Sequence, residues 1–256
     1  MNKDTIRQIV IILAVIATLT VNALANILPL NGLNTGAISD NFKVYFVPAG
    51  YVFAIWGLIY LLLIIFAIYQ ALPAQKTNPR LRRIGYLFAL SCVANIVWLF
   101  LWHYEIFPLT LLAMLVLLFC LIAIYIRLET GVSRVSTGET WAVRLTFSIY
   151  LGWITVATAA NITDVLDYLK WNGWGISPVV WTMIVLAAVV VIAAAMSFTR
   201  RDIAYQLVIL WALAGIAIKQ ASQPVVATSA WVALLLVFLF MGIGLLRKRQ
   251  HILATN

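Results

Sequence analysis

Eight long apolar runs follow one another along the chain, separated by short breaks that contain glycine, proline or charged residues. The runs lie near residues 6–28, 50–72, 84–103, 107–127, 142–163, 177–198, 203–221 and 226–246. A helix needs about 20 mostly apolar residues to cross about 30 Å of hydrocarbon, which is close to the length of each run. We therefore predict an all-α fold, a polytopic membrane helix bundle with eight transmembrane helices.

Composition excludes a soluble fold. The 256 residues are 64% hydrophobic and only 10% charged, with a mean hydropathy of +1.04, whereas a soluble domain has about 25% charged residues. So few polar residues could not cover the surface of a globule of this size. A net charge of +9 would indicate nucleic-acid binding in a soluble chain, but in a membrane protein the position of the charges matters more than their sum. We expect the lipid membrane as a partner and no nucleic acid.

The basic residues predict the orientation of the bundle. If the N-terminus is cytoplasmic, fourteen of the 17 Lys and Arg residues fall in cytoplasmic segments, including the basic C-terminal segment 247–249. Only Lys43, Lys170 and Lys219 fall on the other side. Because cytoplasmic loops collect Lys and Arg, this asymmetry favours eight spans with both termini in the cytoplasm. We expect an integral protein of the bacterial inner (plasma) membrane.

The first run admits a second interpretation. Lys3 and Arg7, the apolar run and the segment 23–25 (Ala-Leu-Ala) resemble a cleavable signal peptide. The apolar stretch from Ile9 to Leu28 is longer than the core of about 7–15 residues in such signals. We therefore expect the first helix to be retained, with cleavage as the alternative.

Few residues could support metal or redox chemistry. Cys92 and Cys120 both lie inside apolar runs, where a free cysteine behaves as a small buried hydrophobe. His103 and His251 are far apart in the chain, so no set of metal ligands can be assembled from spacing. We expect no metal site, no cofactor and no catalytic residue.

Charged residues are almost absent from the centres of the runs. Asp164 and Asp167 follow the fifth run and are expected to be solvated loop residues, and Glu105 with His103 is expected to form a wet hairpin tip. No acidic or histidine relay is predicted at the middle of the membrane, which argues against a proton pump or an ion-coupled carrier.

Aromatic and amide side chains share one face of several predicted helices, at spacings of three, four or eight residues. These faces carry Trp56 and Tyr60; Asn95 and Trp98; and Tyr150, Trp153 and Asn161. Because an amide in hydrocarbon needs a hydrogen-bond partner, the Asn faces should point at other helices rather than at lipid. The outer half of the bundle would then enclose an aromatic interior that suits a flat, largely apolar ligand. A simpler alternative remains open, in which the rings only pack or anchor at the interface and the amides only fasten helices together.

Three sequence motifs resemble those of one membrane protein family. The segment 51–60 (Tyr-Val-Phe-Ala-Ile-Trp-Gly-Leu-Ile-Tyr), with Pro48 before it, resembles a W-V-F-x-x-x-W-x-x-x-Y pattern, although Tyr51 stands where Trp is usual. The segment 94–98 (Ala-Asn-Ile-Val-Trp) resembles L-N-x-x-W, and the segment 149–161 resembles P-Y-x-x-W-x-x-x-A-x-x-x-N without its proline. These are motifs of the TspO family, the translocator or tryptophan-rich sensory proteins.

The resemblance implies a five-helix TspO-like core at residues 1–165, to which residues 166–256 add a three-helix extension with a basic cytoplasmic C-terminus. It implies that the core binds porphyrins or related tetrapyrroles, sterols and flat drug-like compounds beneath the first outer loop, and transports or senses them. The residues expected to form or support this site are Trp56, Tyr60, Asn95, Trp98, Tyr150, Trp153 and Asn161. A weak sterol-contact pattern, L-x-Y-x-K, occurs at residues 166–170. A homodimer is left open.

Two other functions also remain open. A light- or oxygen-dependent porphyrin-degrading enzyme would use Trp98 and Trp153 as electron-transfer partners, although no acid–base or metal-binding group accompanies them. Broken helices or inverted repeats would support a secondary transporter of another small solute. No such repeat is evident, since the tryptophan motifs do not recur in the last three helices.

Overall fold

A computed structural model of the chain describes residues 2–28 and 30–246. Within these ranges all regular secondary structure is helical, as the sequence predicts for an all-α membrane bundle. The predicted basic C-terminal segment 247–249 lies outside the described residues. The helices are α1 (Lys3–Ile27), α2 (Thr35–Ser39), α3 (Ile55–Ala71), α4 (Pro79–His103), α5 (Phe107–Arg127), α6 (Thr137–Glu139), α7 (Leu145–Tyr168), α8 (Pro178–Thr199), α9 (Ile203–Lys219) and α10 (Pro224–Leu246).

All eight predicted runs are helical, and seven of these helices are long and apolar enough to cross a membrane, counted over the described residues. The exception by length is α9, whose 17 residues span about 25 Å and meet only the lower limit of about 17 residues for a crossing helix. Its ends nevertheless reach opposite ends of the bundle. Asp202, which caps its N-terminus, accepts a hydrogen bond of 2.8 Å from Tyr125 near the end of α5, and Lys219 in its last turn pairs with Asp40 after α2 at 2.7 Å. The chain is an integral membrane protein in which α9 runs beside the longer spans.

Several helix starts follow directly from the local sequence. Pro79, Pro178 and Pro224 are the first residues of α4, α8 and α10, where a missing N–H leaves no hydrogen bond unmade. Asn78 and Ser177 precede the first two of these helices and accept hydrogen bonds from backbone N–H groups of the first turn. The breaks seen in the sequence are therefore true helix boundaries.

Helix α7 lies at the centre of the bundle. In the span Thr137–Tyr168, which contains α7, 67% of the residues of the apolar stretch are buried, against 22% for α8 and for α10, whose apolar faces remain open to lipid. It packs against α3, α5 and α9, while α1 packs on α3 and α4, and α4 forms a hairpin with α5. Helices α8, α9 and α10 contact one another, and α9 joins this group to α7.

The segment that leads into α3 is also tied to α9. The backbone N–H of Ala49 donates to the carbonyl of Gly215 at 3.1 Å, and the indole N–H of Trp211 donates to the carbonyl of Val52 at 3.1 Å. Because this segment continues into the aromatic residues of α3, the C-terminal helices help to position the part of the core where the ligand site is expected.

Candidate ligand-binding site

A large cavity of about 620 Å³ opens at the end of the bundle where α1 ends and α3 begins. Helix α1, the loop that contains α2, the turn Gly50–Ala54, α3 and α4 surround it. Amide and hydroxyl side chains supply its polar lining, and aromatic rings supply much of the rest. The lining includes Asn22, Asn26, Asn34, Thr35, Asp40, Phe53, Trp56, Tyr60 and Trp98.

A small cavity of about 50 Å³ adjoins the large one and is lined from α2, the segment before α3, α3, α4, α5 and α7. Thr35, Phe53, Trp56 and Trp98 line both cavities, so these four side chains form their common wall. The remaining lining residues of the small cavity include Trp102, Met114, Trp153, Ala157, Asn161 and Asp164.

The aromatic rings around the common wall pack on one another. Trp56 stacks on Tyr60 with ring centroids 5.6 Å apart, and it makes T-shaped contacts with Tyr150 and Trp153 at centroid distances of 6.1 Å and 6.2 Å. Trp98 stacks on Trp102 at 5.4 Å. Such pairs contribute about 0.5–1.5 kcal/mol each beyond their buried area. The rings are therefore held in place before any ligand arrives.

An amide network fastens the helices behind the large cavity. Asn22 on α1 donates from Nδ2 to Oδ1 of Asn95 on α4 at 2.8 Å, and the hydroxyl of Tyr60 on α3 donates to Oδ1 of Asn22 at 2.8 Å. The second amide proton of Asn22 reaches the carbonyl of Thr18 at 2.9 Å. Three helices thus meet at one buried side chain, as the predicted inward-facing amides require.

His103 anchors the loop over the large cavity, and the expected wet hairpin tip is wrong for this residue. His103 is only 1% exposed. Its Nε2 lies 3.1 Å from the hydroxyl of Thr35, and its Nδ1 lies 3.0 Å from the carbonyl of Leu30. The loop before α3 folds back over the end of α4 and covers the imidazole, whereas Glu105 stays exposed.

Asp164 is buried, so the expectation that it is a solvated loop residue is also wrong. Helix α7 continues to Tyr168, which places Asp164 inside the helix and leaves its side chain 2% exposed. Thr35 and Ser39 of α2 line the small cavity together with it. Asp167, three residues further on, is exposed as expected, but it also lies in α7 rather than in a loop.

Four polar atoms of residues that line the small cavity have no hydrogen-bond partner among the described residues. They are the indole Nε1 atoms of Trp98 and Trp153 and the Oδ1 atoms of Asn161 and Asp164. The orientation of the Asn161 amide follows from its neighbour. Thr110 donates its hydroxyl proton to the carbonyl of Phe107 at 2.6 Å, so its oxygen accepts from Asn161 Nδ2 at 2.9 Å. This leaves Asn161 Oδ1 uncommitted.

Five of the seven predicted site residues line one or both cavities: Trp56, Tyr60, Trp98, Trp153 and Asn161. Asn95 and Tyr150 lie behind this lining, where Asn95 bonds Asn22 and Tyr150 packs on Trp56.

Sequence reasoning missed Phe53, Thr35 and Asp164 as lining residues. A usable signal existed for Asp164, because it follows Asn161 by three residues and therefore lies on the same face of α7. No local signal marks Thr35, whose place depends on how the loop folds back. The described residues contain no group of three or more His, Cys, Asp or Glu side chains that could hold a metal ion.

Comparison with protein families gives one informative match. The family model described as TSPO-like protein matches residues 8–243 of the chain. The matched range passes beyond residue 165 and includes most of the last three helices. Neither the curated proteins nor the solved structures contain a significant match to the chain.

Proposed function

Since the chain belongs to the TSPO-like protein family, we propose that it binds flat, largely apolar ligands, porphyrin-like tetrapyrroles or sterol-like molecules, and transports or senses them. The observation that carries this proposal is the common aromatic wall. Trp56 and Trp98 come from different helices and line both cavities.

The size and lining of the large cavity support this ligand class. Its volume of about 620 Å³ lies within the range of about 300–1,000 Å³ usual for small-molecule sites. Such sites combine mainly apolar walls with a few polar groups that orient the ligand. Here Asn22, Asn26 and Thr35 provide polar groups beside the rings of Phe53 and Trp56.

The unpartnered indole N–H groups of Trp98 and Trp153 support a ligand with a polar edge. A buried donor without a partner costs about 1–3 kcal/mol. An oxygen or ring-nitrogen acceptor at the edge of a flat ligand would remove that cost, and the ring system would gain stacking contacts with the wall. Binding and orientation would then come from the same side chains.

Quenching of tryptophan fluorescence by protoporphyrin tests the proposal. The protein is titrated in nanodiscs of zwitterionic lipid, and the shift of the porphyrin absorbance band is followed in parallel as a readout that does not depend on tryptophan number. We expect saturable binding by the wild type. We expect the affinity to fall by about tenfold or more when Trp98→Ala and Trp153→Ala are combined. Two aromatic contacts of about 0.5–1.5 kcal/mol each are then lost.

Trp231→Ala is the matched control. This tryptophan lies on α10, is 45% exposed, and does not line either cavity. Its loss changes the fluorescence baseline but should leave the affinity unchanged. Equal affinity in the wild type and in the double variant would show that the cavities are not the porphyrin site.

We further propose that the protein resides in a bacterial inner membrane with both termini in the cytoplasm. The concentration of basic residues in alternate breaks supports this orientation. The short helix α9 makes the test decisive, because eight crossings put the two termini on the same side and seven put them on opposite sides. Single cysteines are introduced at Ser136 and at Asn256 in a variant that lacks Cys92 and Cys120. A membrane-impermeant thiol reagent should label neither cysteine in intact cells.

A further inference from the structure

Asp164 is a buried acid that the proposed aromatic binding does not use. Its side chain is 2% exposed and its Oδ1 meets no hydrogen-bond donor within the part of the chain that the structure describes. Its electrostatic neighbours are Asp167 and Lys219. Lys219 already pairs with Asp40 at 2.7 Å, and Asp167 carries the same sign of charge. A buried carboxylate without a close partner is costly, so proteins retain such groups where something pairs with them.

A second oxygen lies on the same face of α7. Asn161 precedes Asp164 by one helical turn, and its Oδ1 is also uncommitted because Thr110 fixes the amide. Both residues line the small cavity. Two acceptor oxygens on residues that line one cavity suit a group that donates several N–H bonds, while the indole N–H groups of Trp98 and Trp153 on the same lining suit an acceptor such as water.

Aromatic rings supply much of the rest of the lining. Trp98, Trp102 and Trp153 surround the same cavity of about 50 Å³, and indole rings attract cations as well as apolar groups. This volume is too small for a flat ring system but large enough for one small polar group of a ligand, since one water molecule occupies about 30 Å³ in the liquid. A ring system would remain in the large cavity, which borders the small one at Thr35, Phe53, Trp56 and Trp98.

We propose that the small cavity receives a protonated nitrogen of the ligand, held by Asp164 and Asn161, so that the site prefers flat aromatic amines to matched neutral or anionic molecules. This inference rests on the proposed function, because it concerns the polar end of the same site. It assigns Asp164 as the residue that determines the charge preference.

Three probes with one ring system test the preference. They are 1-pyrenemethylamine, 1-pyrenemethanol and 1-pyrenecarboxylate, each titrated against the protein in nanodiscs of zwitterionic lipid, with empty nanodiscs subtracted. We expect the amine to bind at least tenfold more tightly than the alcohol, because a charge-assisted hydrogen bond contributes more than a neutral one. We expect the carboxylate to bind most weakly.

Asp164→Asn and Asp167→Asn form a matched pair of variants. Each removes one acid from the same end of α7, but only Asp164 lines the small cavity. We expect Asp164→Asn to reduce the preference for the amine over the alcohol about tenfold and Asp167→Asn to leave it unchanged. The wild-type probe series tests the inference by itself if Asp164→Asn does not fold.

The outcomes separate the two proposals. Binding of protoporphyrin and of pyrenemethanol without any preference for the amine would overturn the inference alone. A preference that persists in Asp164→Asn would overturn it as well. Failure of protoporphyrin and of every pyrene probe to bind would overturn the proposed function and this inference together.

Discussion

Gly215 on α9 is the position where the link between the C-terminal helices and the candidate site can be broken with one methyl group. A Cβ at Gly215 would overlap Cγ2 of Val52 and would lie 3.2 Å from Cβ of Pro48. Val52 is fully buried, so its side chain cannot rotate away from the new methyl group. The segment around Val52 would have to move instead.

The cost of Gly215→Ala follows from what that movement disturbs. Overpacking of a filled core costs about 1–3 kcal/mol. The displaced segment would also weaken two hydrogen bonds, from Ala49 to Gly215 and from Trp211 to Val52, each 3.1 Å long and each contributing about 1 kcal/mol. We expect the free energy of unfolding to fall by about 2–4 kcal/mol. Protoporphyrin affinity should fall too, because Phe53 follows Val52 directly and lines both cavities.

A second substitution tests whether the overlap is the cause. Val52→Ala removes the Cγ2 atom and alone should cost about 1.5 kcal/mol for two buried methyl groups. In the double variant the closest remaining approach of the new Cβ is the 3.2 Å contact with Pro48. We therefore expect the destabilisation of the double variant to be about 1–2 kcal/mol smaller than the sum of the two single destabilisations. The free energies are measured by reversible denaturation with sodium dodecyl sulfate in mixed micelles.

Gly242→Ala on α10 is the control, since nothing lies within 4 Å of a Cβ built there. It should be neutral or stabilising by up to about 1 kcal/mol, the usual gain of alanine over glycine inside a helix. Strict additivity of Gly215→Ala and Val52→Ala would refute the packing argument.

Two further predictions concern residues outside the cavities. Arg144 donates to the carbonyl of Ser133 at 2.6 Å and to its hydroxyl at 2.7 Å. Arg144→Lys cannot keep this forked geometry and should lower the free energy of unfolding by about 1–3 kcal/mol in the same denaturation assay. The control Arg134→Lys, on the exposed neighbouring loop, should leave the free energy of unfolding unchanged. His103→Ala should free the loop that contains Thr35, so that limited proteolysis of residues 30–39 becomes several-fold faster while the melting temperature of the bundle changes little; unchanged cleavage would contradict the anchoring role assigned to the imidazole.

The transmembrane helices could be predicted because the thickness of the lipid bilayer sets their length. Each apolar run had to be helical and about as long as the hydrocarbon is thick, and the structure forms a helix at every run. The length of α9 could not be settled in this way. Asp202 and Gln220 bound it through capping bonds, and its contacts with Tyr125 and Asp40 depend on tertiary packing.

The candidate site was predictable where helix periodicity and the need to pair buried amides act together. Trp56, Tyr60 and Trp98 point to a shared cavity for that reason. Asp164 and His103 were misplaced because a position at the end of an apolar run was treated as exposed to water. The loop between α1 and α3 covers both residues, and nothing in the sequence around them shows which way that loop folds.

The hydrogen bonds between Ala49, Val52 and α9 join residues about 160 positions apart in the chain. Synthesis proceeds from the N-terminus, so α1 to α5 enter the membrane well before α9 exists. During that interval the stretch ahead of α3 has no partner for these bonds. The last three helices therefore complete the wall around the ligand space, and a nascent chain acquires its finished interior only near the end of its insertion.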